Sequence, residues 1–339
     1  MQDIWLVVVT FLNSNLTDLS SYLFDANKRI YSVYLISAVL MAFYVFYKTK
    51  PSANFLKFLF PKRVWLAKTA KQDYILFFSN KFIKSLLIAP LLISMTPIAI
   101  GFSDILENTF GFHGFISTSA TTVALTFTLV LFLFDDFSRF LLHFLLHKIP
   151  FLWSFHQVHH SAKVLTPMTI YRSHPIENLL YALRMTVAQG LAVGLCYYLF
   201  GPTLKMVDIL GANLFIFVFN VLGSNLRHSH IWFTWPSWLE SWLISPAQHQ
   251  IHHSSDPKHF DANFGTALAI WDKWVGSLIK SNTVAKPKNL RLGVAGASDD
   301  LHASIFKLYW QPFADSARCI KSIFDKRIAR LSKVMKQEN

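Results

Sequence analysis

Apolar residues dominate five stretches of the chain, each close to the roughly 20 residues that an α-helix needs to cross a bilayer. The stretches are 30–47, 85–102, 115–134, 179–200 and 204–222. A shorter apolar run, 4–12, cannot span a bilayer and has no basic segment before it, so it is expected at the membrane surface rather than as a cleaved signal peptide. The pattern predicts an all-α fold: a polytopic membrane helical bundle of about four to five transmembrane helices.

The connecting segments predict the orientation of these spans, because Lys and Arg in short loops stay on the cytoplasmic side. Residues 48–84 contain nine basic residues and one acidic residue, whereas the loop between spans two and three has Asp104 and Glu107 and no Lys or Arg. Alternate threading then places 135–178 and everything after 223 in the cytoplasm. With no carboxy-terminal retrieval signal, the multi-pass protein is expected in a bacterial inner membrane rather than in the endoplasmic reticulum.

Four regions are predicted along the chain. Residues 1–29 form an amino-terminal interfacial segment, and 30–114 hold the first transmembrane helices with the basic cytoplasmic loop. Residues 115–280 are expected to form the catalytic domain, and 281–339 a cytoplasmic tail. Apolar positions in the tail recur at helical spacing between basic residues, which favours an amphipathic helix on the leaflet or one docked on the catalytic domain.

Composition agrees with a membrane protein: 53% of the residues are hydrophobic, 15% are charged, and the mean hydropathy is +0.36. The net charge of +13 fits loops that face an anionic leaflet, and nucleic acid is not expected as a partner. The two cysteines, Cys196 and Cys319, form no C-x-x-C motif. Disulfide scaffolds, thiolate zinc sites and iron-sulfur clusters are therefore unsupported.

Histidine is the candidate metal ligand. Of 14 histidines, ten lie in 143–160 and 228–253, where an even distribution would place about two. They form three clusters with the spacing of one helical face, and eight imidazoles exceed the three or four that one zinc takes, so two metal ions are implied. The clusters are His143 and His147, then His156, His159 and His160, then His249, His252 and His253.

Two further histidines form a looser group, His228 and His230, which would raise the number of ligands to ten. His174 precedes a proline at the start of the fourth span, where contact with a ligand histidine or simple packing is expected. Neutral imidazole suits iron, zinc, copper and nickel, so the residues alone leave the metal open. All three clusters are predicted on one face, as a cytoplasmic histidine-rich helical cap resting on the membrane.

Missing motifs exclude several enzyme classes. The chain has four glutamates and none lies three residues before a histidine, so a ferritin-like di-iron bundle is excluded. It contains no H-E-x-x-H, no G-x-S-x-G and no glycine-rich phosphate loop. Zincin peptidases, α/β-hydrolases and P-loop enzymes are excluded with them.

The order H-x-x-x-H, H-x-x-H-H, single His, H-x-x-H-H resembles the fatty acid hydroxylase and sterol desaturase superfamily of integral membrane di-iron enzymes. Flanking segments agree: DFSRFLLHFLLH from Asp136, SPAQHQIHH from Ser245 and NFGTALAIWDKWVGS from Asn263 are similar to the family's motifs. The resemblance covers 115–277 and is highly specific.

The resemblance implies two iron ions, which zinc can replace in a purified sample, and O2 as co-substrate. The ligands that it carries over are His143, His147, His156, His159, His160, His228, His249, His252 and His253. His230 departs from the family, in which another polar residue often stands there, and remains only a possible ligand. Asp136 is expected to orient a ligand imidazole, and Asp272 is a second candidate for that role.

The implied function is that of a membrane-bound, O2-dependent lipid hydroxylase, a monooxygenase acting on a C–H bond of a sterol, acyl or ether lipid. Two electrons per turnover come from an external donor, a ferredoxin or cytochrome b5 with its reductase. A desaturase with the same di-iron site is the first alternative. A zinc-dependent membrane hydrolase, which needs a carboxylate base such as Asp136, Glu177, Asp256 or Asp261, and a metal-binding protein without activity are the others.

Overall fold

The computed structural model describes residues 2–335 apart from 50, 52–53, 92–93, 113, 203, 210, 286 and 297–301. The described chain is 69% helical, with a single two-stranded antiparallel hairpin. Its strands are Asp208–Ile209 (β1) and Ala212–Asn213 (β2), and its helices are Gln2–Ser21 (α1), Ser32–Thr49 (α2), Phe55–Leu59 (α3), Lys62–Trp65 (α4), Lys68–Ile83 (α5), Met95–Phe110 (α6), Ala120–Lys148 (α7), Pro150–His160 (α8), Pro175–Phe200 (α9), Leu214–Val221 (α10), Pro246–His252 (α11), Ile270–Val275 (α12) and Ile305–Met335 (α13).

Two of these helices, α2 and α9, are long and apolar enough to cross a membrane. They coincide with the first and fourth predicted spans. The third predicted span lies in α7, which starts at Ala120 and continues to Lys148, well beyond the predicted end at residue 134. The same helix therefore leads from the apolar region into the first histidine cluster.

The prediction that one continuous helix forms the second span, 85–102, is wrong. After α5 the chain makes a π-helical turn, Lys84–Ile88, and a 3-10 turn, Ala89–Leu91, and a new helix begins at Met95. Pro90 lacks the backbone N–H that a continuing helix requires. The Ser94 side chain then caps α6 by accepting a hydrogen bond from the Thr96 backbone N–H at 3.2 Å.

The fifth predicted span, 204–222, is also not a spanning helix. Its helical part, α10, has 8 residues, and at about 1.5 Å per residue such a helix covers less than half of a bilayer core of about 30 Å. The Asp208 side chain closes the preceding hairpin by accepting from Gly211 N at 2.8 Å, and Asn213 caps α10. The segment is apolar, as predicted, but these turn and cap residues divide it into a hairpin and a short helix.

The hairpin returns the chain from α9 alongside α7. Thr128 on α7 satisfies polar groups of the returning segment: its hydroxyl accepts from Val207 N at 2.7 Å, and its carbonyl accepts from the Asn213 amide at 3.0 Å. Non-helical backbone beside apolar helices is tolerated where protein groups satisfy it. The return brings His228 within 3.3 Å of His159 on α8.

Helices α6 and α9 pack closely through small residues. A Cβ added at Gly190 would lie 2.7 Å from the Ile98 side chain, and one at Gly194 would lie 2.5 Å from the Ala99 carbonyl oxygen. This G-x-x-x-G spacing lets two helix backbones approach.

A buried ion pair fastens α5 to the loop after α8. The Arg172 side chain is fully buried and donates to Asp73 at 2.9 Å, to Gln72 at 3.1 Å and to the Val158 carbonyl at 2.9 Å. Asp73 also accepts from the Thr169 hydroxyl at 2.7 Å. Residues from the amino-terminal third of the chain thus support the histidine-bearing region. This region, formed by the end of α7, by α8 and α11 and by the loops that join them, is called the cap below.

The tail helix α13 has two different halves. Its first half docks on the cap, where Leu308 packs with Leu76 and Val158 and the Tyr309 hydroxyl donates to Asn80 at 2.8 Å. Apolar residues farther along, including Phe324 and Ile328, are exposed. Docking on the catalytic domain therefore describes the first half, and contact of the second half with a leaflet stays a prediction.

The helix packing predicts opposite effects of one substitution at two glycines. Gly194→Ala is expected to lower the thermal unfolding midpoint in detergent, because the new methyl group meets a backbone oxygen that cannot move aside. Gly101→Ala on α6 is the control, because nothing lies within 4 Å of its added Cβ. That change is expected to leave the midpoint unchanged or raise it, since Ala is favoured over Gly in helices by about 1 kcal/mol. Equal midpoints for the two variants would contradict the packing.

Loss of the buried ion pair is expected to destabilise the protein. Arg172→Met leaves Asp73 buried without its cation, a change that typically costs about 3–5 kcal/mol of unfolding free energy. Arg318→Met, which removes an exposed ion pair with Asp315 on α13, is expected to cost less than about 1 kcal/mol. Denaturant unfolding of the two variants measures the difference, and similar losses would argue against a structural role for Arg172.

Candidate metal centre

Three helices and one loop bring the histidine clusters together. The last turns of α7 carry His143 and His147 on one face, and the chain turns at Ile149 so that α8 runs back with His156, His159 and His160. Helix α11 begins with a capping box between Ser245 and Gln248 and carries His249 and His252, with His253 at its end. His228 follows the turn Ser224–Leu226.

The nine histidines form two groups that could each hold a metal ion. Within each group, one nitrogen per residue lies within 4.8 Å of the others. The first group is His143, His147, His156, His160 and His252, and the second is His159, His228, His249 and His253. Members of both groups come from α8 and α11, so the two groups are adjacent; the His160 and His253 rings stack with centroids 4.7 Å apart.

The second group has the spacing of ligands around one ion. The Nε2 atom of His228 lies 3.3 Å from that of His159, 3.2 Å from that of His253 and 3.0 Å from that of His249. Four nitrogens this close surround a point about 2 Å from each, which matches a metal–imidazole bond of about 2.0–2.1 Å. The donor set and its spacing therefore fit a metal ion.

The first group shows the same fit through its unpaired atoms. Each of its five Nε2 atoms is buried and has no hydrogen-bond partner among the described residues. A buried polar atom without a partner costs about 1–3 kcal/mol. A bound metal ion would use these five lone pairs.

Burial keeps the imidazoles neutral. It lowers the pKa of His156 to about 3 and, with nearby histidines adding to the effect, the pKa of His159 to about 4. The pKa values of the other seven histidines fall well below the ordinary value for the same reasons. Neutral imidazole is the form that binds metal, so the site needs little proton release near neutral pH.

Backbone carbonyls orient three of the rings. The Nδ1–H groups donate to carbonyl oxygens, at 2.8 Å from His143 to Phe264, 3.1 Å from His159 to Arg172 and 2.7 Å from His252 to Ala262. A proton held on Nδ1 leaves the Nε2 lone pair free to face a metal. The Arg172 carbonyl links this orientation to the buried ion pair with Asp73.

His249 has a different partner. Arg227 lies in the same buried region, donates from one guanidinium nitrogen to His249 Nδ1 at 3.1 Å and donates from another to the Thr266 carbonyl at 3.0 Å. Burial lowers the pKa of Arg227 to about 9. With Nδ1 as acceptor, the proton of neutral His249 stands on Nε2, so this ring would release a proton if it held a metal ion through Nε2, in contrast to the three rings that donate from Nδ1.

The carboxylates expected to orient the ligand histidines have other hydrogen-bond partners in the structure. Asp136 does not contact an imidazole: it accepts from Ala267 N at 2.8 Å, Leu268 N at 3.1 Å and Trp271 Nε1 at 2.9 Å. The expectation that it orients a ligand is wrong, because the backbone of the facing loop uses its oxygens.

Asp272 acts on the same loop and also does not contact a histidine ring. It accepts from Phe264 N at 2.8 Å and from Gly265 N at 2.7 Å. The Phe264 carbonyl accepts the hydrogen bond from His143 Nδ1. Asp272 therefore supports His143 indirectly, by holding the backbone of Phe264. A sequence pattern cannot show which backbone groups a carboxylate will hold.

Glu177 is the carboxylate beside the histidines. It is buried in the first turn of α9, and its Oε1 atom lies 3.1 Å from His156 Nδ1. Asp261 lies 3.8 Å from His147 Nδ1 and pairs with Lys148 at 2.6 Å. Sequence reasoning considered Glu177 only as a hydrolytic base; its position three residues after His174, in the first turn of a helix, is the signal that was available.

His174 and His230 lie outside both groups. His174 caps α9: its Nδ1 accepts from Ile176 N at 3.1 Å, and its Nε2 lies 2.9 Å from the Tyr309 carbonyl. His230 points to the Phe58 carbonyl, with Nε2 at 2.8 Å. Both rings therefore have backbone partners in place of a metal group.

A polar cleft of about 870 Å³ lies on the cap next to the histidines. Ser161 and Ser254 line it and directly follow His160 and His253 in the chain. Lys68, Lys163 and Arg291 also face it. The cleft therefore borders the chain one residue away from a histidine of each group.

The part of the chain that holds the two histidine groups is similar in sequence to known proteins. The family model described as fatty acid hydroxylase matches residues 128–277. Alkylglycerol monooxygenase of Caenorhabditis elegans is 28% identical over 143 residues, covering 41% of this chain and 24% of the relative. Ornithine lipid hydroxylase of Rhizobium tropici is 28% identical over 162 residues, covering 48% and 43%.

A sterol desaturase is related at a similar level. Delta(7)-sterol 5(6)-desaturase of Leptosphaeria maculans is 26% identical over 162 residues, covering 47% of this chain and 38% of the relative. The chain thus spans less than half the length of each of these relatives, and no solved structure matches it. The histidine boxes all lie inside the matched region. Residues 128–277, which hold all of the histidine boxes, are therefore similar to the fatty acid hydroxylase family.

Proposed function

We propose that the protein is a membrane-bound, O2-dependent lipid hydroxylase that works with two iron ions. The observation that supports it most directly is the sorting of nine buried, neutral histidines into two adjacent groups inside the region similar to the fatty acid hydroxylase family. One ion takes the first group as ligands: His143, His147, His156, His160 and His252. The other takes the second group: His159, His228, His249 and His253.

The protein's part in this reaction is ligation and orientation. When bound, the iron pair supplies the oxidising chemistry that activates O2 toward an unactivated C–H bond of a lipid. The backbone carbonyls of Phe264, Arg172 and Ala262 hold ligand protons on Nδ1, and the Glu177 carboxyl lies 3.1 Å from His156 Nδ1 without a hydrogen bond to it. Burial of the rings excludes bulk water from the ligand nitrogens.

The names of the relatives support a substrate class, and the electron donor is proposed from the chemistry. The relatives are named for alkylglycerols, ornithine lipids and sterols, so a membrane lipid is the proposed substrate class. An external ferredoxin or cytochrome b5 with its reductase supplies two electrons per turnover.

For the membrane, we propose that α2, the segment 84–110, the first half of α7 and α9 cross the bilayer. The hairpin and α10 then return the chain to the cap. The basic segment 48–84 supports a cytoplasmic location for the histidines, and a bacterial inner membrane is favoured over the endoplasmic reticulum. The apolar helices α2 and α9 support membrane association.

Desaturation is the second candidate, since a sterol desaturase matches the same region at 26% identity. The two reactions share ligands and oxidant and differ in whether the carbon gains a hydroxyl or loses a second hydrogen. A zinc hydrolase is the remaining alternative, and Glu177 is its candidate base beside the histidines. The other three carboxylates have less support for that role, because Asp136 is saturated by three donors, Asp256 caps a short turn and Asp261 pairs with Lys148.

Metal analysis tests the proposal directly. Protein purified from iron-supplemented cells is expected to contain about two metal ions per chain, one for each group. His159→Ala and His252→Ala, one in each group, are each expected to lose at least one ion, because buried ligand sets tolerate little loss. Elemental mass spectrometry measures the content, and oxygen-18 from labelled O2 is expected in a lipid only with the intact protein.

The matched control for metal content is His230→Ala, which removes a histidine next to the site whose partner is the Phe58 carbonyl. It is expected to keep the full content. A wild-type protein without stoichiometric metal would overturn the proposal, and so would His230→Ala losing as much metal as His159→Ala.

Acid is expected to destabilise the metal-free protein. Folding lowers the histidine pKa values, so the unfolded chain binds protons that the folded cap excludes, and stability is lost as pH falls from the ordinary histidine range toward about 4. At about pH 5.5 the expected cost is roughly 1.4 kcal/mol for each histidine that stays neutral. Thermal unfolding of chelator-treated protein at about pH 7.5 and pH 5.5 measures it; equal midpoints would contradict neutral burial of the rings.

A further inference from the structure

A second cavity, of about 280 Å³, lies between α5, α7 and α9, and none of the nine grouped histidines lines it. Four cationic side chains line it: Lys81, Lys84, Arg139 and Arg184. Among the described residues, two carboxylates pair with them, Asp18 with Lys81 and Asp135 with both arginines. Four positive charges against two negative ones leave the cavity with an excess of two.

Two of the cations have unused binding capacity. The Arg184 side chain is 8% exposed and binds Asp135 and Ser138 through one terminal nitrogen, while its Nε has no hydrogen-bond partner in the described part of the chain. Lys84 has no ion-pair partner among the described residues. A buried guanidinium N–H without an acceptor is costly. An anion bound beside Arg184 would therefore be stabilised by accepting from this N–H.

Neutral donors complete the lining. Asn178 and Tyr181 also line the cavity, together with Asn80, whose amide already donates to the Ser173 carbonyl at 2.8 Å. Guanidinium, ammonium and amide donors around one small space are the groups that bind phosphate oxygens. Ligand pockets commonly measure about 300–1,000 Å³, so this cavity takes a headgroup but not acyl chains.

The cavity lies where three apolar segments end on the proposed cytoplasmic side. Lys84 directly precedes the segment 85–102, Arg139 follows 115–134 by five residues, and Arg184 lies five residues inside 179–200. The phosphate groups of a leaflet lie at this depth. Tyr22, Tyr171 and Tyr181, which also line the cavity, are of the residue type enriched at membrane interfaces.

We propose that this cavity binds the phosphate of an anionic membrane lipid of the cytoplasmic leaflet, with Lys84 and Arg184 as its main contacts. The proposal relies on the proposed membrane placement but not on the metal chemistry. Because Arg184 lies two helical turns after Glu177 on α9, about 10 Å along the axis, the bound lipid would stand beside the metal centre and hold α5 against α9.

Lipid retention tests the site. The full chain, reconstituted in nanodiscs of equal phosphatidylglycerol and phosphatidylcholine and then released into mild detergent, is expected to retain phosphatidylglycerol in native mass spectrometry. Lys84→Gln combined with Arg184→Lys is expected to lower this retention about tenfold, because two charge-assisted contacts are lost or misplaced. Lys258→Gln combined with Arg291→Gln, two exposed residues outside this cavity, is the control and is expected to match the wild type.

Each other result has a defined meaning. Equal retention by the cavity variant and the wild type would overturn the site, as would equal retention of the two lipids by the wild type. Binding of inorganic phosphate to the delipidated protein as tight as that of phosphatidylglycerol would show a soluble phosphate site and overturn the lipid assignment. Lys84→Gln alone, which breaks no ion pair, is expected to give a smaller loss in the same direction even if the double variant is unstable.

Metal content of the same samples separates this proposal from the proposed function. Loss of phosphatidylglycerol with full metal content concerns the lipid site alone. Absence of metal with phosphatidylglycerol retained would overturn the hydroxylase and leave the lipid site in place.

Discussion

The burial of nine neutral imidazoles is the constraint on which the rest of the structure depends. Charged imidazoles could not be packed this closely in a low-dielectric interior, and the unpaired Nε2 atoms of the first group are costly without an ion. The surrounding elements serve this arrangement: α7 delivers the first cluster from the apolar region, the return segment delivers His228, and the loop around Phe264 supplies carbonyl acceptors.

Support for the cap comes largely from outside the matched domain. Asp73 and Gln72 on α5 hold Arg172, whose carbonyl holds His159, and the first half of α13 covers α8. Residues 128–277 carry the ligands, but the amino-terminal third and the tail fix the position of the second cluster. Sequence reasoning assigned little to these regions, because an ion pair between residues 73 and 172 has no local signature.

Sequence reasoning was successful where the signal is local and periodic. Spacing of three and four residues placed each histidine cluster on one helical face, and these eight residues meet in the structure together with His228. Hydropathy located α2 and α9 but misjudged 204–222, where Asp208, Gly211 and Asn213 turn an apolar segment into a hairpin and a short helix. It also failed at Asp136, since a carboxylate two turns before a histidine on one helix gives no indication that the opposite loop will occupy it.

The carbonyl acceptors at Ala262, Phe264 and Arg172 give the ligand set a particular mutational tolerance. Every amino acid carries a backbone carbonyl, so a substitution at these three positions keeps the hydrogen-bond acceptor as long as the loop retains its path. Glu177 is different, because one codon change there removes the oxygen that faces His156. A substitution at one of the three carbonyl positions therefore leaves the ring orientations in place, whereas a substitution of Glu177 changes the immediate surroundings of His156.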